Sequence, residues 1–128
     1  MLKFLYIAAG GAIGALLRYL SAGLAHRFFN AGFPWGTLSV NLLGSFFVGL
    51  LWGLSETVLI SQNMRLFLFI GILGAFTTFS AFSLENFNLL RDGEYWFAAL
   101  NVFLNVFFGI ALVFAGYFML RSCAGIFK

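Results

Sequence analysis

Residues 66–87, LFLFIGILGAFTTFSAFSLENF, combine an apolar half and a polar half in one hydrophobic segment. The segment is long enough to cross a bilayer, which takes about 20 mostly apolar residues. Its second half interleaves phenylalanines with hydroxyl groups, an amide and a carboxylate. Such groups are costly in lipid, so we expect them to face other helices or a water-filled cavity. The segment therefore predicts a membrane helix that faces something other than lipid.

The composition of the whole chain indicates an integral membrane protein. Of its 128 residues 62% are hydrophobic and 9% are charged, which leaves too few charges for the surface of a soluble domain. The net charge of +3 gives no indication of nucleic-acid binding, and the single cysteine, Cys123, excludes an internal disulfide. No nucleotide loop, catalytic triad or metal-ligand motif occurs in the sequence, so we do not expect an enzyme.

Four apolar segments predict a single all-α membrane domain over residues 1–128. They cover about residues 4–24, 36–54, 66–87 and 96–120, with short connections between them. The first segment continues past Arg18, which favours a spanning helix over a cleaved signal peptide. Long apolar runs without alternation argue against a transmembrane β-barrel.

Two glycine pairs have the spacing that lets membrane helices approach closely: Gly10 with Gly14, and Gly49 with Gly53. Packing between helices of one chain is the simpler interpretation, and a dimer face is a second one.

The positive charges give a weak signal for orientation in the membrane. With four spans both termini share one side, and the cations of that side are Lys3, Arg65, Arg121 and Lys128. The opposite side carries Arg27 and Arg91, and also Arg18 if that residue reaches the interface, so the contrast is four cations against two or three. Because an excess of Lys and Arg marks cytoplasmic loops, this small difference fits cytoplasmic termini. It also fits a protein that inserts in both orientations and forms an antiparallel pair.

Hydroxyl groups predict that the third helix is broken near its middle. The side chains of Thr77, Thr78, Ser80 and Ser83 are able to bond back to helical carbonyls and bend the helix. Gly74 lowers helix propensity just before them. A break at membrane depth exposes backbone carbonyls that can bind a cation.

Two phenylalanines in this stretch, Phe79 and Phe82, share a helix face because they are three residues apart. The edge of an aromatic ring is electropositive, so two edges aimed at a pathway would attract an anion weakly. Packing against neighbouring helices is the alternative interpretation.

Amides recur at one-turn spacing on two other spans. Asn41 follows Thr37 by four residues, and Asn105 follows Asn101 by four. An amide can donate two hydrogen bonds to a desolvated anion, or it can join helices through hydrogen bonds.

Two charged residues lie within the predicted spans. Arg18 either snorkels to the interface or supplies a positive charge to an anion vestibule. Glu85 either reaches the membrane interface or has a functional role, in gating or in charge relay. An ionised carboxylate repels anions, which argues against a role in anion conduction.

Three motifs together resemble the Fluc fluoride channels, the CrcB family once linked to camphor resistance. GAFTTFSAFSLE, residues 74–85, resembles the family's Phe-box signature GG-x-TTFSTFS-x-E. PWGTLSVNLLG, residues 34–44, resembles its second-helix motif, and GGAIGALLRYL, residues 10–20, resembles its first-helix motif. The resemblance covers nearly the whole chain, with the motifs in the family's order.

The resemblance implies a fluoride-selective passive channel in the bacterial inner membrane, formed by an antiparallel, dual-topology homodimer. Each of its two pathways would be lined by both subunits. Phe79 and Phe82 match the Phe-box rings, and Asn41 matches the pore amide. The backbone carbonyls of Gly74 and Thr77 match the ligands of a structural Na⁺ at the dimer centre.

The resemblance also implies roles for the remaining polar residues. Thr37, Asn101 and Asn105 fall on a polar track beside the rings. Residues that fall near the pathway or its vestibule are Ser80, Ser83, Glu85 and Arg18. The chain departs from the signature at Ala75, often a glycine, and at Ala81, usually a threonine. The missing hydroxyl at Ala81 removes a candidate fluoride donor or a bond at the helix break.

A passive anion path suits fluoride because fluoride enters acidified cells as neutral HF, and the membrane potential then expels the trapped anion. A small multidrug-type proton-coupled exporter is one alternative, but its chemistry needs a carboxylate deep in the first helix, where this chain has Arg18 and no acid. A non-transporting membrane scaffold is another, but it leaves the polar and aromatic stretch unexplained.

Overall fold

The computed structural model describes residues 1–29 and 32–126, so Lys128 of the charge comparison lies outside the described residues, as does the side chain of Cys123. Within them, four helical spans are long and apolar enough to cross a membrane: Leu2–Ala25, Trp35–Thr57, Gln62–Arg91 and Tyr95–Ser122. The prediction of four spans is confirmed, and the chain is a multi-pass membrane protein.

The first two spans are continuous helices, whereas the third and fourth are divided. Their elements are α1 (Leu2–Phe28), α2 (Trp35–Thr57), α3 (Gln62–Arg65), a π-helical segment (Leu66–Leu73), α4 (Gly74–Phe76), α5 (Phe79–Arg91), α6 (Tyr95–Phe103), a second π-helical segment (Leu104–Phe108) and α7 (Gly109–Ile126). The helices extend beyond the apolar segments because polar residues continue them. At the start of α3, for example, the Ser61 side chain accepts a hydrogen bond from the Met64 N–H at 3.3 Å.

Two helix pairs dominate the packing: α2 lies along α7, and α1 lies along the Leu66–Leu73 segment. Glycines permit both contacts. A Cβ atom added at Gly14 would lie 2.2 Å from the carbonyl oxygen of Ile72, and one added at Gly49 would lie 2.0 Å from that of Val113. Backbone therefore meets backbone at these positions, in the way that small residues allow in membrane helices.

The glycine pairs identified in the sequence thus pack within the chain. Gly10 lies against Gly71 of the third span, and Gly53 lies against Tyr117 of α7. These contacts support the interpretation of packing within one chain, and the same glycine faces are not available as a dimer face.

The third span bends where its helical backbone stops for two residues. Thr77 has φ −82° and ψ 159°, and Thr78 has φ −150° and ψ 119°, which are extended conformations between α4 and α5. Threonine suits extended backbone because its branched Cβ is well accommodated there. The Thr78 hydroxyl caps α5 by accepting a hydrogen bond from the Ala81 N–H at 3.2 Å.

Candidate functional site

The bend at Thr78 is held by the amide of Asn41 on α2. The Thr78 N–H donates to Asn41 Oδ1 at 2.9 Å, and Asn41 Nδ2 donates to the Thr78 carbonyl at 3.1 Å. A buried peptide group that leaves its helix needs such partners, because unpaired backbone polar groups are costly. Asn41 therefore joins α2 to the interruption in the third span.

Hydrogen bonds between amides extend from Asn41 to the fourth span. Asn41 Nδ2 also donates to Asn105 Oδ1 at 3.0 Å, and Asn105 Nδ2 donates to Asn101 Oδ1 at 2.8 Å and to the Asn101 carbonyl at 3.0 Å. Asn101 is completely buried. Its Nδ2 atom has no hydrogen-bond partner among the described residues. The structure thus brings together the predicted amides of the second and fourth spans.

Thr37 and Glu85 form a second contact between α2 and the third span. The Thr37 hydroxyl donates to Glu85 Oε1, one helical turn before Asn41 on α2. Thr37 is buried, and the Glu85 carboxylate is only partly accessible. Glu85 is therefore part of the polar contact surface between the spans rather than a side chain that extends to the interface.

The rings of Phe79 and Phe82 lie together at the start of α5. Their centroids are 5.5 Å apart and their planes are inclined by 46°. Phe79 is 78% exposed, whereas Phe82 is half-buried. Phe79 is therefore not covered by the rest of the chain.

A pocket of about 410 Å³ lies at the bend and collects groups from three spans. The lining residues that the sequence singled out are Asn41, Gly74, Thr77, Phe79, Phe82 and Asn105. Phenylalanine rings, amides and the interrupted backbone therefore line one cavity at the middle of the third span. Among the described residues that line this pocket none is charged, so the cavity offers amides, hydroxyls and aromatic rings rather than a full charge.

A larger groove of about 1170 Å³ lies beside α1. Arg18 lines it together with Thr37 and Ser80. Arg27 lines it as well, so two cationic residues border one groove. The groove and the pocket share Thr78, which places the groove with the two arginines next to the bend.

The remaining predicted residues have individual positions. Ser83 is exposed, and its hydroxyl donates to the Phe79 carbonyl at 2.9 Å, so it lines neither the groove nor the pocket. The Ser80 hydroxyl lies 3.2 Å from that of Thr78. The absent hydroxyl at Ala81 does not affect the cap of α5, because Thr78 supplies the capping oxygen.

Sequence reasoning missed two residues of these cavities, Ser45 and Arg27. Ser45 lines the pocket four residues after Asn41, so the one-turn spacing that links Thr37 with Asn41 would have found it. Arg27 was counted only as an orientation signal. It lies nine positions after Arg18 on α1, about two and a half turns along, so helical spacing alone would not have placed the two arginines in one groove.

Known proteins resemble this chain over nearly its full length. The family model described as CrcB-like protein, Camphor Resistance (CrcB), matches residues 5–117. A protein of Geobacter sulfurreducens named fluoride-specific ion channel FluC is 47% identical over 95% of this chain and 99% of its own length. Proteins with the same name from Thermus thermophilus and Shewanella amazonensis are 49% and 47% identical, over 91% and 95% of this chain and 94% and 98% of theirs.

Proposed function

Because this chain belongs to the CrcB family, we propose that it is a fluoride-selective channel that passively exports fluoride from the cytoplasm and so protects the cell from fluoride toxicity. The observation that supports this most directly is the uncharged pocket in which Phe79 and Phe82 meet the amides of Asn41 and Asn105. The relatives with the name fluoride-specific ion channel cover almost all of the chain. No reaction is involved, in keeping with relatives that are named as channels.

The pocket suits a small anion because its groups attract negative charge weakly. Conduction needs binding that is favourable enough for entry and weak enough for release. The electropositive edges of Phe79 and Phe82 supply attraction without a fixed cation. Arg18 and Arg27 in the neighbouring groove concentrate anions at its entrance without lining the pocket itself.

The channel is proposed to be an antiparallel, dual-topology homodimer with two fluoride pathways. The 78% exposure of Phe79 supports this arrangement, because a second subunit would cover the ring and close the pocket. The weak charge difference between the two sides of the membrane agrees with insertion in both orientations. Each pathway would then be lined by both subunits.

A structural Na⁺ is proposed at the dimer centre, with the carbonyls of Gly74 and Thr77 from each subunit as ligands. In a continuous helix these carbonyls would accept from the N–H groups of Thr78 and Ala81. Those two N–H groups donate to Asn41 Oδ1 and Thr78 Oγ1 instead. The carbonyls are therefore released from helical bonding, and carbonyl oxygen suits a hard cation. Na⁺ would neutralise carbonyl dipoles that converge at the axis.

Anion efflux from liposomes tests the proposed function. Liposomes that contain the purified protein are loaded with either fluoride or chloride, and efflux is recorded with an ion-selective electrode after an ionophore sets the membrane potential. We expect rapid loss of fluoride and little loss of chloride. Equal rates for the two anions would contradict selectivity, and no fluoride efflux would contradict the channel itself.

A further inference from the structure

Most hydrogen-bond donors that line the pocket at the bend are already occupied. The two hydrogens of Asn41 Nδ2 have acceptors in the Thr78 carbonyl and Asn105 Oδ1. Those of Asn105 Nδ2 have acceptors in the carbonyl and the side chain of Asn101. These amides hold the pocket together, and as arranged they have no hydrogen left for a bound anion.

The threonine hydroxyls of the third span take part in hydrogen bonds as well. Thr77 Oγ1 donates to the Leu73 carbonyl at 3.0 Å. Thr78 Oγ1 accepts from the Ala81 N–H and lies 3.2 Å from the Ser80 hydroxyl. Each polar side chain of the third span that lines the pocket therefore already has a hydrogen-bond partner.

Ser45 on α2 is the exception among the polar side chains of this pocket. Its hydroxyl makes no hydrogen bond to any described residue. The residue is half-buried and lines the same cavity as Phe79 and Phe82. A serine in a helix commonly bonds back to the carbonyl four residues earlier, as Ser83 does to Phe79. The Ser45 hydroxyl remains available to a ligand in the cavity.

The neighbours of Ser45 place its hydroxyl on the side of the fourth span. A Cβ atom added at Gly109 would lie 3.5 Å from Ser45 Oγ. The Asn41 and Asn105 side chains are hydrogen-bonded to each other across α2 and the fourth span. Ser45 and Gly109 each lie one helical turn further along, so they form the next facing pair of the same two spans. Because Gly109 has no side chain, space remains beside the hydroxyl.

We infer that the Ser45 hydroxyl donates a hydrogen bond to fluoride in the pocket, and this inference rests on the proposed function. A serine hydroxyl rotates freely about its Cβ–Oγ bond and can follow a passing anion. Hydrogen bonds to an ionised group are stronger than those between neutral groups, so one free hydroxyl is sufficient to affect affinity.

The position of Ser45 favours an anion over the proposed cation as its ligand. On α2 the residue that faces the interrupted backbone is Gly44, where an added Cβ would lie 2.1 Å from Thr77 Cγ2. Ser45 is the next residue, about 100° further around the helix. Its Oγ atom lies beside Gly109 of the fourth span, whereas Gly44 is the residue in contact with Thr77.

Concentration dependence of fluoride current tests this inference. Ser45→Ala removes only the hydroxyl, Ser45→Thr retains it, and Ser55→Ala removes a hydroxyl that bonds to the Trp52 carbonyl outside the pocket. We expect Ser45→Ala to raise the half-saturating fluoride concentration about tenfold, the scale of one hydrogen bond to a charged group. Ser45→Thr and Ser55→Ala should remain close to the unsubstituted protein.

Two results would overturn the inference. One is an unchanged half-saturating concentration in a folded Ser45→Ala dimer that conducts fluoride. The other is an equal shift in Ser45→Ala and Ser45→Thr, which would indicate that packing, and not the hydroxyl, determines affinity. Failure of the proposed function would be distinct, since the unsubstituted protein would then carry no fluoride current.

Discussion

Asn41 forms a two-way hydrogen bond with the backbone of Thr78: its Oδ1 accepts from the Thr78 N–H at 2.9 Å, and its Nδ2 donates to the Thr78 carbonyl at 3.1 Å. The side chain thus replaces the helical partners that Thr78 lacks. The sequence left open whether the Asn41 amide donates to an anion or joins helices. In the structure both Nδ2 hydrogens have acceptors within the chain, and Asn41 holds the interrupted backbone in place.

Asn41→Asp should destabilise the protein and abolish fluoride flux. The substitution puts an acceptor where Nδ2 donates to the Thr78 carbonyl and to Asn105 Oδ1. We expect a loss of about 2–4 kcal/mol of stability, since two partly buried hydrogen bonds are replaced by pairs of oxygens that repel each other. Thermal unfolding in detergent measures it, with Asn63→Asp as a control outside the pocket. An Asn41→Asp protein as stable as the parent would contradict this account of Asn41.

The packing of α1 predicts opposite outcomes at two neighbouring glycines. A Cβ at Gly14 would lie 2.2 Å from the Ile72 carbonyl oxygen, whereas one at Gly11 would meet nothing within 4 Å. Gly14→Ala should therefore cost about 1–3 kcal/mol of stability through overpacking. Gly11→Ala should be neutral or slightly stabilising, because alanine favours helix. Equal unfolding temperatures for the two variants would contradict the described contact between α1 and the third span.

The sequence predicts the number of spans and the helix break, but it does not predict helix lengths or the contacts between helices. Apolar length predicts four spans because a helix must satisfy its own backbone within lipid. The hydroxyls around Thr77 and Thr78 predict the interruption correctly. The lengths of the helices do not follow from hydropathy, since capping groups such as Ser61 extend helices into polar sequence. The contacts of each glycine depend on how all four spans pack together. Local sequence spacing therefore does not predict them.

Dual topology predicts that the orientation responds to few charges. Reporter fusions at the C-terminus should give signals on both sides of the membrane. Lysines added beside Lys3 should force one orientation, because a small Lys and Arg excess then becomes a large one. Function should then require co-expression of a variant that inserts in the opposite orientation. A uniformly oriented protein with full fluoride flux would rule out the antiparallel dimer.

The proposed Na⁺ predicts slow, specific loss of function on sodium removal. If the carbonyls of Gly74 and Thr77 hold the ion at the dimer centre, it is buried and should exchange slowly. Prolonged replacement of Na⁺ by a large organic cation should silence fluoride flux, and restored Na⁺ should recover it. Persistent flux after depletion verified by elemental analysis would remove the cation from the account.

The sequence predicts which residues line the site better than it predicts the hydrogen bonds among them. One-turn spacing links Thr37 with Asn41 and Asn101 with Asn105, and the structure brings Asn41 and Asn105 to within 3.0 Å. Spacing along one helix does not reveal which donors are already occupied, because that depends on acceptors from other spans. The available hydroxyl of Ser45 emerges only when all the hydrogen bonds of the pocket are known.

Fluoride efflux per folded dimer in Phe79→Ile and Phe82→Ile tests the central claim most directly, namely that fluoride passes these rings. Isoleucine keeps most of the apolar bulk and removes the electropositive edge. We expect each substitution to reduce efflux on the order of tenfold or more, with unchanged size-exclusion behaviour. Near-normal efflux from well-folded dimers of both variants would contradict the claim and leave the two rings with a packing role.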